Sequence, residues 1–213
     1  MSAALRFLFF ALLVRPVLFV AVGIHVRGRD LLPKQGPAII VANHNSHLDT
    51  LTILSLFPLR LLPRLRPVAA ADYFLRSKSM AWFATQIIGI IPIPRAGRTN
   101  GRHPLEGCCE ALDRGDILVL FPEGSRGEPE KLSAFKTGVA HLLKMRPTTP
   151  VHPLFINGLG KVLPKDALVL VPFNSDVVIG KQLAWEGSTP DFMAALEARM
   201  HDLASQIHVA PWD

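Results

Sequence analysis

A chain of 213 residues, 49% apolar and 19% charged, has room for one α/β-sized core with a short extension, and it is oilier than most freely soluble proteins. Its 23 Lys and Arg against 17 Asp and Glu give a formal charge of +6, which suits anionic lipid, nucleic acid or phosphorylated substrates alike. Single-strand binders are disfavoured because aromatic residues are not interleaved with the basic ones, and neither zinc-finger nor coiled-coil patterns occur. The two cysteines, Cys108 and Cys109, are adjacent and so poorly placed for a disulfide; they read as free buried thiols in a reducing compartment.

Residues 7–14 are wholly apolar, as are residues 17–24, with Arg15-Pro16 between them. Crossing a bilayer as one helix would bury that arginine, at about 2.5–3.5 kcal/mol, and the proline would kink it. The pattern therefore predicts two short helices in the membrane interface, with Arg6 and Arg15 reaching headgroups. A cleaved signal peptide fits less well, because His25-Val26-Arg27-Gly28 leads within a few residues into the next strand. Residues 25–36 read as a turn-rich lead-in.

The run 37–42 predicts a buried strand and 47–57 a helix. A basic loop punctuated by Pro58, Pro63 and Pro67 precedes a short strand near 68–71 and a helix over 73–87. The proline-broken run 88–94 suits an edge or irregular strand. A helix over 104–114 stops at Gly115, and 116–121 is a strongly buried strand. After a loop come a helix at 134–145, strands at 151–156, 168–171 and 177–179, and a closing helix at 190–207. Alternation of this kind predicts an α/β fold with a mixed, largely parallel sheet flanked by helices, and an N-terminal apolar helical extension that binds membrane.

Two segments carry chemistry. In Asn43-His44-Asn45-Ser46-His47-Leu48-Asp49-Thr50 a strand-to-helix turn presents His44 at the sheet edge, and Asp49 on the first helical turn can reach one imidazole nitrogen, as a general base requires. The same residues also fit a capping box, Ser46 as N-cap and Asp49 at N3, which needs no chemistry. His44, His47 and Asp49 match no zinc spacing, so no metal is expected. In Phe121-Pro122-Glu123-Gly124-Ser125-Arg126, after a buried strand, a glutamate and an arginine on a glycine-containing turn suit an anionic or hydroxylated substrate, and Arg126 can grip phosphate through a fork. Ser125 lacks the G-x-S-x-G elbow of a nucleophile. Lys136 opens the next helix and can face the same anion. Gly158-Leu159-Gly160-Lys161 lacks P-loop spacing and reads as a turn.

Taken in order, four blocks resemble the phospholipid and glycerolipid acyltransferase family: His44 with Asp49; Gly89-Ile90-Ile91-Pro92-Ile93-Pro94-Arg95; the segment 121–126; and Val151-His152-Pro153-Leu154. Pro92 and Pro94 stand where the family has bulkier residues. The resemblance implies a membrane-associating segment at 1–24, an acyltransferase domain at 25–213, and direct acyl transfer without a covalent enzyme intermediate. His44 would be the base and Asp49 its support. Amides near the helix start would hold the oxyanion, Arg126, Arg95 and Lys136 the acceptor phosphate, and Glu123 with Gly124 its polar end. The implied donor is acyl-CoA or acyl carrier protein, with no cofactor. The implied acceptor is 1-acyl-glycerol-3-phosphate in a membrane, at the cytoplasmic face of the inner membrane. Glycerol 3-phosphate, other lysophospholipids or lyso-aminolipids are alternative acceptors, and a non-catalytic lipid-binding protein is the alternative of another class. The basic stretch 60–102 would meet acidic lipid, coenzyme A phosphates or acyl carrier protein, or is an ordinary solvated face.

Overall fold

The computed structural model describes residues 2–74, 77–94, 101, 103–125, 127, 132–162 and 174–207. The predicted strand at 168–171 lies outside them.

Seven strands form one sheet: β1 (Ile24–Arg27), β2 (Ala38–Ala42), β3 (Leu65–Ala70), β4 (Ile91–Ile93), β5 (Ile117–Leu120), β6 (Val151–Asn157) and β7 (Ser175–Ile179), in the order β1-β7-β6-β2-β5-β3-β4. Every pairing is parallel except β6 with β7. The expected mixed, largely parallel sheet is therefore present, with β4 at one edge, where Pro92 is tolerated. The opposite edge is β1, inside the segment expected to be turns. Its four residues gain their strand conformation from pairing with β7, a partner about 150 residues away that leaves no local signal.

β2 is buried on both sides, as its unbroken apolar run implies. Ala38, Ile40 and Ala42 face one core layer, shared with the N-terminal helix α1 (residues 2–22) and with α2 (Leu48–Leu56). Ile39 and Val41 face the other, shared with α5 (Glu106–Asp113), α6 (Gly138–Met145) and α8 (Thr189–Ser205). Two shorter helices, α3 (Ala71–Phe74) and α4 (Lys78–Trp82), occupy the predicted 73–87 helix; Ser77 caps α4, accepting from the Met80 amide at 3.2 Å. The helical path continues from α4 through Phe83–Ile88 to Gly89, whose φ is +81°. A single turn, α7 (Leu159–Val162), follows β6. Cys108 and Cys109 are free and buried, and desolvation pushes the Cys108 thiol up to about 12.

α1 departs from expectation. It starts as Ser2–Leu8 and continues through wider turns at Phe9–Val14 and Val17–Val22 to Gly23. Arg15 and Pro16 both keep helical dihedrals, so the chain forms one helix, not two. The wider winding absorbs the proline; the Arg15 amide reaches back five residues to the Phe10 carbonyl. The arginines also turn inward. Arg6 is buried and donates to the carbonyls of Leu65 (3.1 Å) and Ile88 (2.9 Å), while Arg15 donates to that of Phe57. Leu65 opens β3, Phe57 follows α2 and Ile88 ends a helical segment, so each carbonyl lies at the end of an element, where a guanidinium reaches it.

Candidate active site

The parallel register sets the loops after β2 and β5 side by side at the carboxyl edge of the sheet, where an α/β fold places its crevice. Past Ala42 the ladder is continued by a side chain. Asn43 donates through Nδ2 to the Ile156 carbonyl (2.8 Å) and accepts the Ile156 amide at Oδ1 (2.7 Å), tying the loop to β6. The next residue is clamped at both backbone groups: the His44 amide donates to Glu123 Oε1 (3.1 Å), and its carbonyl accepts from the Gly127 amide (2.9 Å). Its ring stacks on Phe121, with centroids 4.1 Å apart and planes 22° from parallel.

His44 Nδ1 lies 3.0 Å from Asp49 Oδ2. With Nδ1–H donating to the carboxylate, the ring lone pair is on Nε2. The His44 side chain is 20% exposed and that of Asp49 is 1% exposed, so the pair has one solvent-side end and one dry end. Asp49 Oδ2 also accepts the amides of Asn45 (2.7 Å) and Ser46 (2.8 Å), and Ser46 Oγ accepts from the Leu48 amide at 3.3 Å. Half of the expected capping box, Asp49 Oδ2 on the Ser46 amide, is thus one structure with the His–Asp pair and fixes the carboxylate that orients the imidazole, while Ser46 Oγ meets the Leu48 amide in place of that of Asp49. Four amides around the helix start therefore have acceptors within this loop. Those of Asn45, Ser46 and Leu48 have side-chain acceptors, and that of Asp49 meets the Ser46 carbonyl at 3.3 Å.

Glu123 is buried at 4% exposure, its carboxylate on the His44 backbone. Desolvation pushes its carboxyl above the usual carboxylate range, against the pull of the His44 amide and Ser133. Gly124 takes φ +74°, and a Cβ there would lie 2.5 Å from Lys136 Nζ. Lys136 is therefore brought to this loop, its amide bonded to the Pro122 carbonyl (2.8 Å) and its side chain exposed. His44, Asp49, Glu123, Gly124 and Lys136 converge on one edge of the sheet. Arg95 and Arg126 lie outside the described residues. The roles of Asn43, Phe121 and Ser133 went unread in the sequence, although Asn43 directly after a strand is a signal that a side chain can extend the ladder.

Among the described residues no group of three or more His, Cys, Asp and Glu is placed to hold a metal. The basic stretch 60–102 divides: Arg64 lies 3.7 Å from Asp116, Arg66 is half-buried, and Arg60 and Lys78 are exposed. Arg76, Arg95, Arg98 and Arg102 are outside the described residues.

The sequence model named Acyltransferase matches residues 23–157, the span that carries every residue of this site. The chain belongs to the acyltransferase family. It is 30% identical over 172 residues to the chloroplastic 1-acyl-sn-glycerol-3-phosphate acyltransferase of Arabidopsis thaliana, covering 80% of this chain and 46% of that one. It is 27% identical over 178 residues to the human 1-acyl-sn-glycerol-3-phosphate acyltransferase alpha, covering 83% and 60%. The chain thus spans about half the length of the curated relatives it matches. Its fold is that of the 1-acyl-sn-glycerophosphate acyltransferase PlsC from Thermotoga maritima, with TM-score 0.77 at 22% identity over 99% of this chain and 81% of that one.

Proposed function

We propose that the chain transfers a fatty acyl group from acyl-CoA or acyl carrier protein to the free hydroxyl of 1-acyl-glycerol-3-phosphate, forming phosphatidate. The observation that carries this is the His44 Nδ1–Asp49 Oδ2 pair at 3.0 Å, stacked on Phe121 at a partly open edge beside Lys136. Nε2 takes the hydroxyl proton as the oxygen attacks the thioester carbonyl. The new C–O bond forms, the C–S bond breaks, and the proton passes from Nε2 to the departing thiolate. Asp49 stabilises the transient imidazolium, and the face of Phe121 adds to that. Lys136, with Arg126 and Arg95, holds the acceptor phosphate, while Glu123 and Gly124 shape the loop that carries it. No resident cofactor enters these steps. Support for the acceptor comes from the named activities of the relatives.

The same reading places the protein on a membrane, at the cytoplasmic face of the inner membrane, where a water-soluble donor meets a lipid acceptor. α1 supports it: Ala3–Val20 is long and apolar enough to cross a membrane, yet it leaves Leu5, Phe7, Leu8, Leu12, Leu13 and Val20 exposed along one side while the other packs on the core. The test is turnover of purified protein with acyl-CoA or acyl carrier protein against lysophosphatidate, glycerol 3-phosphate and a panel of other lysolipids. Phosphatidate formation fastest from lysophosphatidate is expected. Preference for another acceptor would overturn the substrate, and no transfer to any acceptor would leave a lipid-binding protein.

A further inference from the structure

Away from His44, at the other end of α2, the chain builds an open pocket walled by charged and apolar side chains. It measures about 350 Å³ and lies between α1, the turn after β1 and the segment following α2. Four cations line it, Arg15, Arg29, Lys34 and Arg60, against one carboxylate, Asp30. Among the described residues no ion pair neutralises any of the four. Among the described residues Arg15 and Arg29 donate to carbonyls at the end of α2, those of Phe57 and Leu56 (2.8 Å for the latter), which accept a hydrogen bond without cancelling charge. Arg15 Nε is enclosed and has no acceptor among the described residues. Burial and the neighbouring Arg29 both push the Arg15 guanidinium below its ordinary range, as expected of like charges held together without a counter-ion. The rest of the wall is apolar, with Leu32, Phe57 and Leu61.

We propose that this cavity binds the phosphate headgroup of an anionic membrane phospholipid, at a site separate from the catalytic one. Separation follows from α2 itself, whose nine residues put about 13 Å between the loop of His44 and the carbonyls that hold the arginines. A lipid is favoured over free phosphate by position. Arg15 sits in the helix whose preceding turn exposes Leu12 (72%) and Leu13 (54%), so the cations open beside the surface proposed to enter the bilayer, and the apolar wall suits a glycerol backbone. The site would hold the protein on anionic bilayers in a fixed orientation. This inference rests on the membrane association proposed above.

The test is cosedimentation with vesicles of phosphatidylcholine alone and with added phosphatidylglycerol, for the wild type, for Lys34→Gln/Arg60→Gln and for Lys144→Gln/Lys181→Gln. The last pair removes the same charge from exposed sites elsewhere. Wild type is expected to bind the anionic vesicles more tightly, and the cavity variant to lose that gain by about tenfold or more, since each basic residue at an anionic surface contributes severalfold. Its binding to phosphatidylcholine vesicles should be unchanged, and the charge-matched control should keep most of the gain. Equal loss in both variants, or equal binding of the wild type to both kinds of vesicle, would overturn the proposal. Calorimetry with water-soluble dihexanoyl phosphatidylglycerol, dihexanoyl phosphatidylcholine and inorganic phosphate separates the remaining cases. If wild type binds no vesicle, membrane association fails, yet saturable binding of the short-chain anionic lipid that is lost in the cavity variant would still support the site. Binding of inorganic phosphate alone would overturn the lipid assignment.

Discussion

Asp49 performs two tasks with one oxygen, and substitutions can pull them apart. Removing the base, His44→Ala, is expected to lower kcat by ~10²–10⁴ with the fold intact, because the backbone ties of residue 44 to Glu123 and Gly127 do not involve the ring. Asp49→Asn keeps an oxygen for the amides of Asn45 and Ser46 but carries no charge toward the imidazole. We expect kcat to fall by up to ~10⁴, the cost of the same change in a serine protease triad, with a stability loss within the ~0.5–2 kcal/mol of a helix cap. Near-normal turnover with a lower Tm would leave Asp49 only the cap. Glu123 allows a prediction with a definite sign in pH. Its carboxyl is raised in the folded protein by burial, so its favourable contribution is full below the unfolded value and is lost as pH rises through the folded one. Gln at this position can still accept the His44 amide and never ionises. The Tm of Glu123→Gln should match wild type at pH below the ordinary carboxyl range, exceed it as pH rises through the folded carboxyl's raised value and hold that lead above it; a gap that shrinks with pH would contradict this.

α1 shows where sequence reading stops. Its apolar character and the buried strands 37–42 and 116–121 are visible in composition and pattern alone, as is the His–Asp spacing. The inward turn of Arg6 is not, because its acceptors lie 59 and 82 residues away and come within its reach only once β3 and the helix ending at Ile88 exist. The same contact explains the glycine that opens the second block of the family resemblance. At φ +81°, Gly89 would place a Cβ 2.7 Å from Arg6 Nη1. Arg6→Met, similar in length and unable to donate, should therefore destabilise the protein by about 1.5–3 kcal/mol, the range for hydrogen bonds to charged groups. Gly89→Ala should act in the same direction through strain and displacement of that guanidinium. Both are read from urea midpoints, and unchanged midpoints would mean that the anchor at Arg6 contributes nothing to the fold.

The three-layer architecture follows from alternation of strand and helix patterns, and the order β1-β7-β6-β2-β5-β3-β4 does not, since nothing local records which strands become neighbours. What emerges only from the assembled fold is a shared apolar surface. α1 packs beside Phe83–Ile88, Phe9 meets Phe83 edge-on at 5.5 Å, and Met80, Trp82 and Phe83 remain exposed together with the leucines of α1. Such a surface fits a helix that lies in one leaflet with the domain against it. For α1 to span the bilayer it would have to withdraw Phe10, Val14, Leu18 and Val22 from the core and strip Arg6 and Arg15 from their carbonyls, leaving two guanidiniums in hydrocarbon at about 2.5–3.5 kcal/mol each near the centre. A cysteine at Ser2 and one at Lys181, in a protein whose Cys108 and Cys109 are replaced by alanine, should therefore react with an impermeant maleimide from the same side of sealed vesicles. Reaction from opposite sides would show that the helix crosses and that its packing on the domain does not survive in a bilayer.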